Sequence, residues 1–261
     1  MKAKIFDIQR GSFVDGPGIR TTVFFKGCNL RCEWCHNPEG QNFETEMMVY
    51  KDLCTNCGTC KRICKFGLEN CDYCGECVTY CPNDARAIAG KDFSVEEVLD
   101  VILKDKSYFD NSGGGVTFSG GECMLQIDFL TEILKKCKEN NVHTAIDTCG
   151  NVSFDSFKKV IPYTDLFLYD IKCITDSLHK RYCKDSNELI LSNLKKLKNY
   201  CDNEICVRIP VIPSFNDDEK EQRLISDFLK NIKIDNIEYL KYHKMGINKY
   251  YALNRIPKIF N

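Results

Sequence analysis

The amino-acid sequence predicts an α/β fold: a partial (β/α)6 TIM-like barrel interrupted by a cysteine-rich insert. Three observations carry this expectation. Short apolar runs alternate with helix-period segments over most of the chain, the pattern of parallel β/α units. Those runs are apolar on both faces, as strands covered on both sides must be. Eight cysteines crowd between Cys54 and Cys81 and set that stretch apart. A complete eight-unit barrel takes ~250 residues. With the cysteine-rich stretch removed, about 215 of the 261 residues remain, which suits six units. The barrel is therefore assigned to residues 1–45 and 91–261, and the insert to residues 46–90.

Residues 21–25 form the first expected strand, followed by 116–119, 143–147, 166–170, 205–209 and 237–240. Helix-period segments lie between them, at roughly 95–106, 125–140, 153–161, 187–200 and 217–231. Ser94-Val95-Glu96-Glu97 is a capping box and marks one helix start.

Composition narrows the setting. Hydrophobic residues make up 43% and charged residues 28%, an ordinary globular balance. With a net charge of −1, nothing supplies the basic surface that nucleic acid or a membrane attracts. The N-terminus lacks the apolar core of a secretory signal, and no stretch approaches the ~20 apolar residues that span a bilayer. A cytoplasmic location is expected, where thiols stay reduced. There, 18 cysteines point to metal rather than disulfides, and low-potential clusters suit an anaerobe.

Directly after the first strand come Cys28, Cys32 and Cys35, spaced C-x3-C-x2-C. A cubic iron–sulfur cluster normally takes four thiolates. Three leave one iron open, as catalytic metal sites do. The insert holds Cys54, Cys57, Cys60 and Cys64, then Cys71, Cys74, Cys77 and Cys81. This is the two-cluster spacing in which the fourth cysteine of each run ligates the other cluster. Cys54, Cys57, Cys60 and Cys81 would hold one 4Fe-4S cluster, and Cys71, Cys74, Cys77 and Cys64 the second, giving a ferredoxin-like cluster domain. Zinc sites use paired C-x2-C units instead. The seven other cysteines read as small buried hydrophobes.

In a parallel β/α fold, function gathers at the C-terminal ends of the strands. Ser119-Gly120-Gly121-Glu122, Asp147-Thr148-Cys149-Gly150, Asp170-Ile171-Lys172, Val207-Arg208-Ile209-Pro210 and Lys241-Tyr242-His243-Lys244-Met245-Gly246 stand at those ends. Glycines let a backbone approach a ligand, and Glu122 could accept from an ammonium group. Asp170 and Lys172 share one face of a strand. A charged pair there is costly unless it serves a ligand or forms an internal salt bridge, which stays open as the alternative.

Val14-Asp15-Gly16-Pro17-Gly18-Ile19-Arg20 through Cys35-His36-Asn37-Pro38 resembles the start of the glycyl-radical-enzyme activating enzymes of the radical SAM superfamily. The resemblance recurs along most of the chain. It implies the same partial barrel and three 4Fe-4S clusters in all. It also implies that S-adenosylmethionine binds the open iron, with Trp34, Cys35 and His36 beside it. Gly120, Gly121 and Glu122 would take its amino group, and Lys172 its carboxylate. Asp147 and Asp170 would stand near a monovalent cation or the ribose, with Ile171 between Asp170 and Lys172. Arg208 and His243 would lie over the pocket. No side chain need act as acid or base.

The implied reaction is reductive cleavage of S-adenosylmethionine. The resulting radical takes a hydrogen from a glycine of a partner enzyme and leaves a glycyl radical there. A glycyl radical enzyme is thus the implied protein substrate, with flavodoxin or ferredoxin as donor and a monomeric state. The insert would relay electrons or act in docking. The chain ends about a dozen residues past Lys249-Tyr250, earlier than is common in the family, so a wider opening is expected. The partner's glycine loop is expected near Asp15–Arg20 and His243. Two rivals remain: a radical SAM enzyme acting on a small molecule, and a multi-cluster electron carrier.

Overall fold

The structure, a computed structural model, describes residues 1–261. Its strands are β1 (Lys2–Ser12), β2 (Arg20–Phe25), β3 (Glu46–Val49), β4 (Arg86–Ala89), β5 (Lys91–Ser94), β6 (Gly115–Gly120), β7 (His143–Thr148), β8 (Leu166–Asp170), β9 (Glu204–Val211) and β10 (Ile237–Lys241). Eight of them form one sheet in the order β10-β9-β8-β7-β6-β2-β1-β5. From β2 to β10 every pairing is parallel. These are the six strands read from the sequence, and sequential order along the sheet is what right-handed β/α crossovers produce. Val116, Phe118, Ile146, Phe167, Tyr169, Val207 and Ile209 lie in the core. Helices occupy the expected intervals, and the capping box is present, with Ser94 Oγ accepting from Glu97 N.

Three features depart from the sequence reading. The sheet gains two antiparallel strands: β1 pairs with β2, and β5 with β1. Their alternating, half-exposed pattern carries charges that mask a strand signal. The helix expected over 95–106 ends at Leu103, and a second one, Lys106–Ser112, follows. Asp105 stands between them, accepting from Arg10 Nε at 2.8 Å and Thr21 Oγ1 at 2.7 Å. Finally, Arg20 is not at a mouth. It is fully buried, donating to Thr117 Oγ1 and Val116 O at 2.6 Å and to Pro17 O at 3.1 Å. Burial lowers its pKa to about 10, and its role is to pin the loop 12–20 to the sheet.

Within residues 46–90, β3 and β4 pair antiparallel and bring the two ends of the segment together. Between them one turn occurs twice. Asn56 and Gly58 have positive φ before the helix Thr59–Ile63, and Tyr73 and Gly75 repeat this before Glu76–Thr79. No helix of the chain is long and apolar enough to cross a membrane.

Candidate active site

The C-terminal ends of the parallel strands converge on a cavity of about 500 Å³. The loop after β2 brings Cys28, Cys32 and Cys35 to its wall. β6 contributes Ser119, Gly120 and Gly121, and β7 contributes Asp147. The end of β8 supplies Asp170 and Lys172, and β9 supplies Arg208. Trp34, His36 and His243 also line it. Most of the residues expected to bind cofactor therefore share one space.

Two do not line it. Ile171 packs in the core, its N–H donating to Arg208 O at 3.0 Å. Glu122 is 1% exposed, and its carboxylate is engaged by its own surroundings. It accepts from Thr148 Oγ1 and Cys149 N at 2.9 Å and from Met124 N and Cys149 Sγ at 3.1 Å. The acceptor role expected of Glu122 thus meets a carboxylate that already has four donors. Sequence reading missed Glu238, Tyr239 and Lys241, which reach the cavity from β10. The charged Glu238 and Lys241 in an edge strand were the available signal.

The cysteine loop is held in place by backbone bonds. Gly27 N donates to Gly40 O at 2.8 Å, and Cys28 N to Gln41 O at 3.0 Å. Arg31 N and Glu33 N donate to the carbonyls of Cys183 and Tyr182 at 2.9 and 3.1 Å. Glycine is required where β6 meets this loop. A Cβ on Gly121 would lie 2.3 Å from Gly27 O and 2.4 Å from Gly40 O. Gly120, at φ +117°, has Phe25 N and O at 2.3 Å from the same test position. The glycine pair lets the two backbones touch.

The chain's last segment braces the loop. Lys249 pairs with Glu39 at 2.6 Å, Arg255 donates to Pro38 O at 2.7 Å, and Lys258 pairs with Glu33 at 2.5 Å. Trp34 packs on Phe215 at 4.3 Å and on Phe260 at 6.2 Å between ring centres. The His36 and His243 rings stack at 4.0 Å.

The cavity is strongly charged. Lys172 pairs with Asp170 at 3.0 Å, and Arg208 lies 3.6 Å from Asp147. Burial works against the charge on Lys172, but Asp170 and nearby thiols outweigh it and hold its pKa above the ordinary value. Asp147 raises the Arg208 pKa and outweighs burial, which lowers it. Burial pushes Asp147 up against the pull of Arg208. Even so, Asp170 Oδ1 and Arg208 Nε and Nη1 are buried without a hydrogen-bond partner. Such orphans cost about 1–3 kcal/mol each. A ligand with ammonium, carboxylate and hydroxyl groups would satisfy them, and S-adenosylmethionine has all three.

The three thiols also fit a cluster. All are free, and Leu30 N donates to Cys28 Sγ at 3.4 Å. Burial and then repulsion from Cys32 raise Cys28 and Cys35, with Cys35 pushed up to about 12, while a hydrogen bond with Cys183 and then burial raise Cys32. They would become thiolates if cationic iron replaced the protons. No three side chains gather tightly enough for one metal ion; a cubane spreads its ligands more widely than a single tetrahedral ion does. In the insert, a cavity of about 290 Å³ is lined by Cys54, Cys57, Cys60 and Cys81.

The radical SAM superfamily pattern matches residues 60–224, and a 4Fe-4S single cluster domain matches residues 14–61. The choline trimethylamine-lyase activating enzyme of Oleidesulfovibrio alaskensis is 40% identical over 97% of this chain and 87% of its own. The trans-4-hydroxy-L-proline dehydratase activating enzyme of Clostridioides difficile is 41% identical, over 96% and 87%. Among solved structures, Streptococcus suis SuiB bound to precursor peptide SuiA shares the fold. It has TM-score 0.57 and 14% identity, over 89% of this chain and 40% of that one. The fold is that of a radical SAM enzyme, with an iron–sulfur cluster and S-adenosylmethionine as cofactors. Within that superfamily, the chain belongs to the glycyl-radical-enzyme activating enzymes. It is a redox enzyme whose activity is the installation of a glycyl radical in a partner enzyme.

Proposed function

We propose that Cys28, Cys32 and Cys35 hold the catalytic 4Fe-4S cluster and that the strand-end residues around it bind S-adenosylmethionine. The observation that carries this reading is one cavity lined by three free thiols and by Asp147, Asp170, Lys172 and Arg208. When bound, cluster and S-adenosylmethionine together supply the radical that takes the partner's glycine hydrogen. The protein's own part is binding, orientation and exclusion of water. Lys172 offers its ammonium to the methionyl carboxylate while Asp170 holds it in place. Gly120 and Gly121 present backbone to the amino group. Asp147 and the free oxygen of Asp170 face the ribose or a monovalent cation. Arg208, His36 and His243 close the space over the ligand, and Trp34 shields the cluster.

The architecture on this reading is a partial (β/α)6 barrel, residues 1–45 and 91–261, with a ferredoxin-like insert, residues 46–90. The cavity lined by Cys54, Cys57, Cys60 and Cys81 supports the exchange of fourth ligands between the two cysteine runs. Cys64, Cys71, Cys74 and Cys77 take the second insert cluster, so the holoenzyme carries three. A flavodoxin or ferredoxin supplies the electron to a monomer in the cytoplasm. The class of partner is a glycyl radical lyase, dehydratase or decarboxylase.

The test is a Cys32→Ala protein, purified without oxygen and reduced with dithionite. Iron should fall from about twelve to about eight per chain, because each cubane holds four, and 5′-deoxyadenosine should not form. Continued formation would sink the assignment. A peptide carrying the partner's radical-site glycine, deuterated at Cα, should pass deuterium into 5′-deoxyadenosine. Transfer from a free metabolite with no partner present would favour the small-molecule reading.

A further inference from the structure

The parallel ladder between β8 and β9 stops at the Asp170–Arg208 pair, with one further bond from Ile171 N to Arg208 O at 3.0 Å. Two residues past that pair stand Lys172 and Pro210. Residues two apart present their backbone polar groups to the same edge of a strand. Pro210 therefore faces β8, as Arg208 does, and it has no N–H to carry the ladder on.

Asn216 takes over at this point. It is fully buried. Its Nδ2 donates to Lys172 O and to Pro210 O, both at 2.7 Å, and its Oδ1 accepts from Ile212 N at 2.8 Å. Both amide hydrogens and the amide oxygen are thus in use. Two carbonyls on one side and an N–H on the other leave the amide a single orientation. From the helix Glu219–Asn231, Gln222 Nε2 donates to Asn216 O at 2.6 Å and fixes the bridge from behind. Lys172 is held at both ends, its carbonyl by Asn216 and its ammonium by Asp170 at 3.0 Å. A side chain held in this way gives up little freedom when a ligand arrives.

We propose that Asn216 is a positioning residue for S-adenosylmethionine: it joins the ends of β8 and β9 through Lys172 O and Pro210 O, and so holds the Lys172 ammonium where the methionyl carboxylate meets it. The inference rests on the reading that Lys172 takes that carboxylate. Asn216 itself does not line the cavity, whereas Lys172 does. It acts through Lys172.

The test is calorimetric titration of the anaerobic, unreduced holoenzyme with S-adenosylmethionine, since no cleavage occurs without an electron. Asn216→Ser keeps a polar side chain too short to span both carbonyls. Its affinity should fall about tenfold, within the range of coupling between residues in contact, with iron content unchanged. Lys172→Met should weaken binding by itself. Adding Asn216→Ser to it should cost less than about twofold more, because the residue it acts through is gone. Equal affinity in Asn216→Ser and wild type overturns the inference even if the variant melts lower, because a purely structural bond shows in stability alone. The same tenfold loss in both backgrounds also overturns it. If Asn216→Ser does not fold, Gln222→Leu loosens the bridge more gently. It should weaken binding about threefold in the wild-type background and not in Lys172→Met, and equal affinity there overturns the inference. Unchanged affinity in Lys172→Met alone is a separate failure, which overturns the Lys172 reading and this inference with it.

Discussion

Gly121→Ala is the most direct test of how this site is built. The residue has ordinary backbone angles, so a methyl group adds no left-handed strain. It adds overlap. The new carbon would lie 2.3 Å from Gly27 O and 2.4 Å from Gly40 O, whereas ordinary contact begins at 3.4 Å. Both neighbours are backbone of the cysteine loop, so no rotamer change can relieve the clash. One or both strands of the loop must retreat by about 1 Å. Overpacking of this kind costs about 1–3 kcal/mol. Retreat also strains the bonds from Gly121 N to Phe25 O and from Glu122 N to Gly27 O, both 2.8 Å, each worth about 1 kcal/mol. The expected loss is about 3 kcal/mol or more, or roughly 6–12 °C in Tm for a chain of this size.

Gly11→Ala is the matched control. It has φ +76° with nothing within 4 Å of the added carbon, so it should cost only the left-handed penalty of about 1–2 kcal/mol. Thermal unfolding of anaerobically purified proteins, with iron measured on the same samples, makes the comparison. Gly121→Ala should melt lower than Gly11→Ala and lose iron from the catalytic cluster alone. If it melts no lower and keeps its iron, the close-packed glycine turn is not what holds the cysteine loop.

Lys172→Met should weaken S-adenosylmethionine binding by about 1.5–3 kcal/mol, the value of a hydrogen bond to a charged group, with iron unchanged; equal affinity by calorimetry would show that Asp170 is its only partner. Changing Cys57 and Cys74 together should remove the insert clusters and slow activation by flavodoxin more than activation by dithionite; equal loss under both would assign the insert to docking. Asp165 has its pKa lowered: burial raises it, but Lys138 at 2.6 Å and Thr144 N at 2.8 Å outweigh that. Its contribution is therefore present above the unfolded value near 3.9 and lost as pH falls below it. Asp165→Asn should flatten the stability curve between about pH 5 and 3, and an unchanged slope there would refute the linkage.

The parallel strands and their helices were legible because burial on both faces leaves an apolar run that periodicity detects, as at residues 116–119 and 205–209. The cysteine spacings stand out in the sequence because the ligands of a cluster, as proposed here, must come at fixed separations along one loop. β1 and β5 were not legible, since partly exposed antiparallel strands mix charged with apolar residues. Motif order also placed Asp147, Asp170, Lys172 and Arg208 at strand ends, and the parallel register alone carries strand ends to one side of the sheet. Partnership was decided only in three dimensions. Glu122 looks like a free acceptor beside two glycines, yet its carboxylate is taken up by Thr148 and Cys149, more than 25 residues away in the chain. Arg20 looks like a mouth residue and is a buried strut. Tyr250 carries no motif of its own, and the burial of its unpaired hydroxyl follows from how the last segment folds back on the loop. Periodicity and spacing report what each element needs locally. Which polar atom finds a partner depends on contacts between distant segments, and those exist only once the chain has packed.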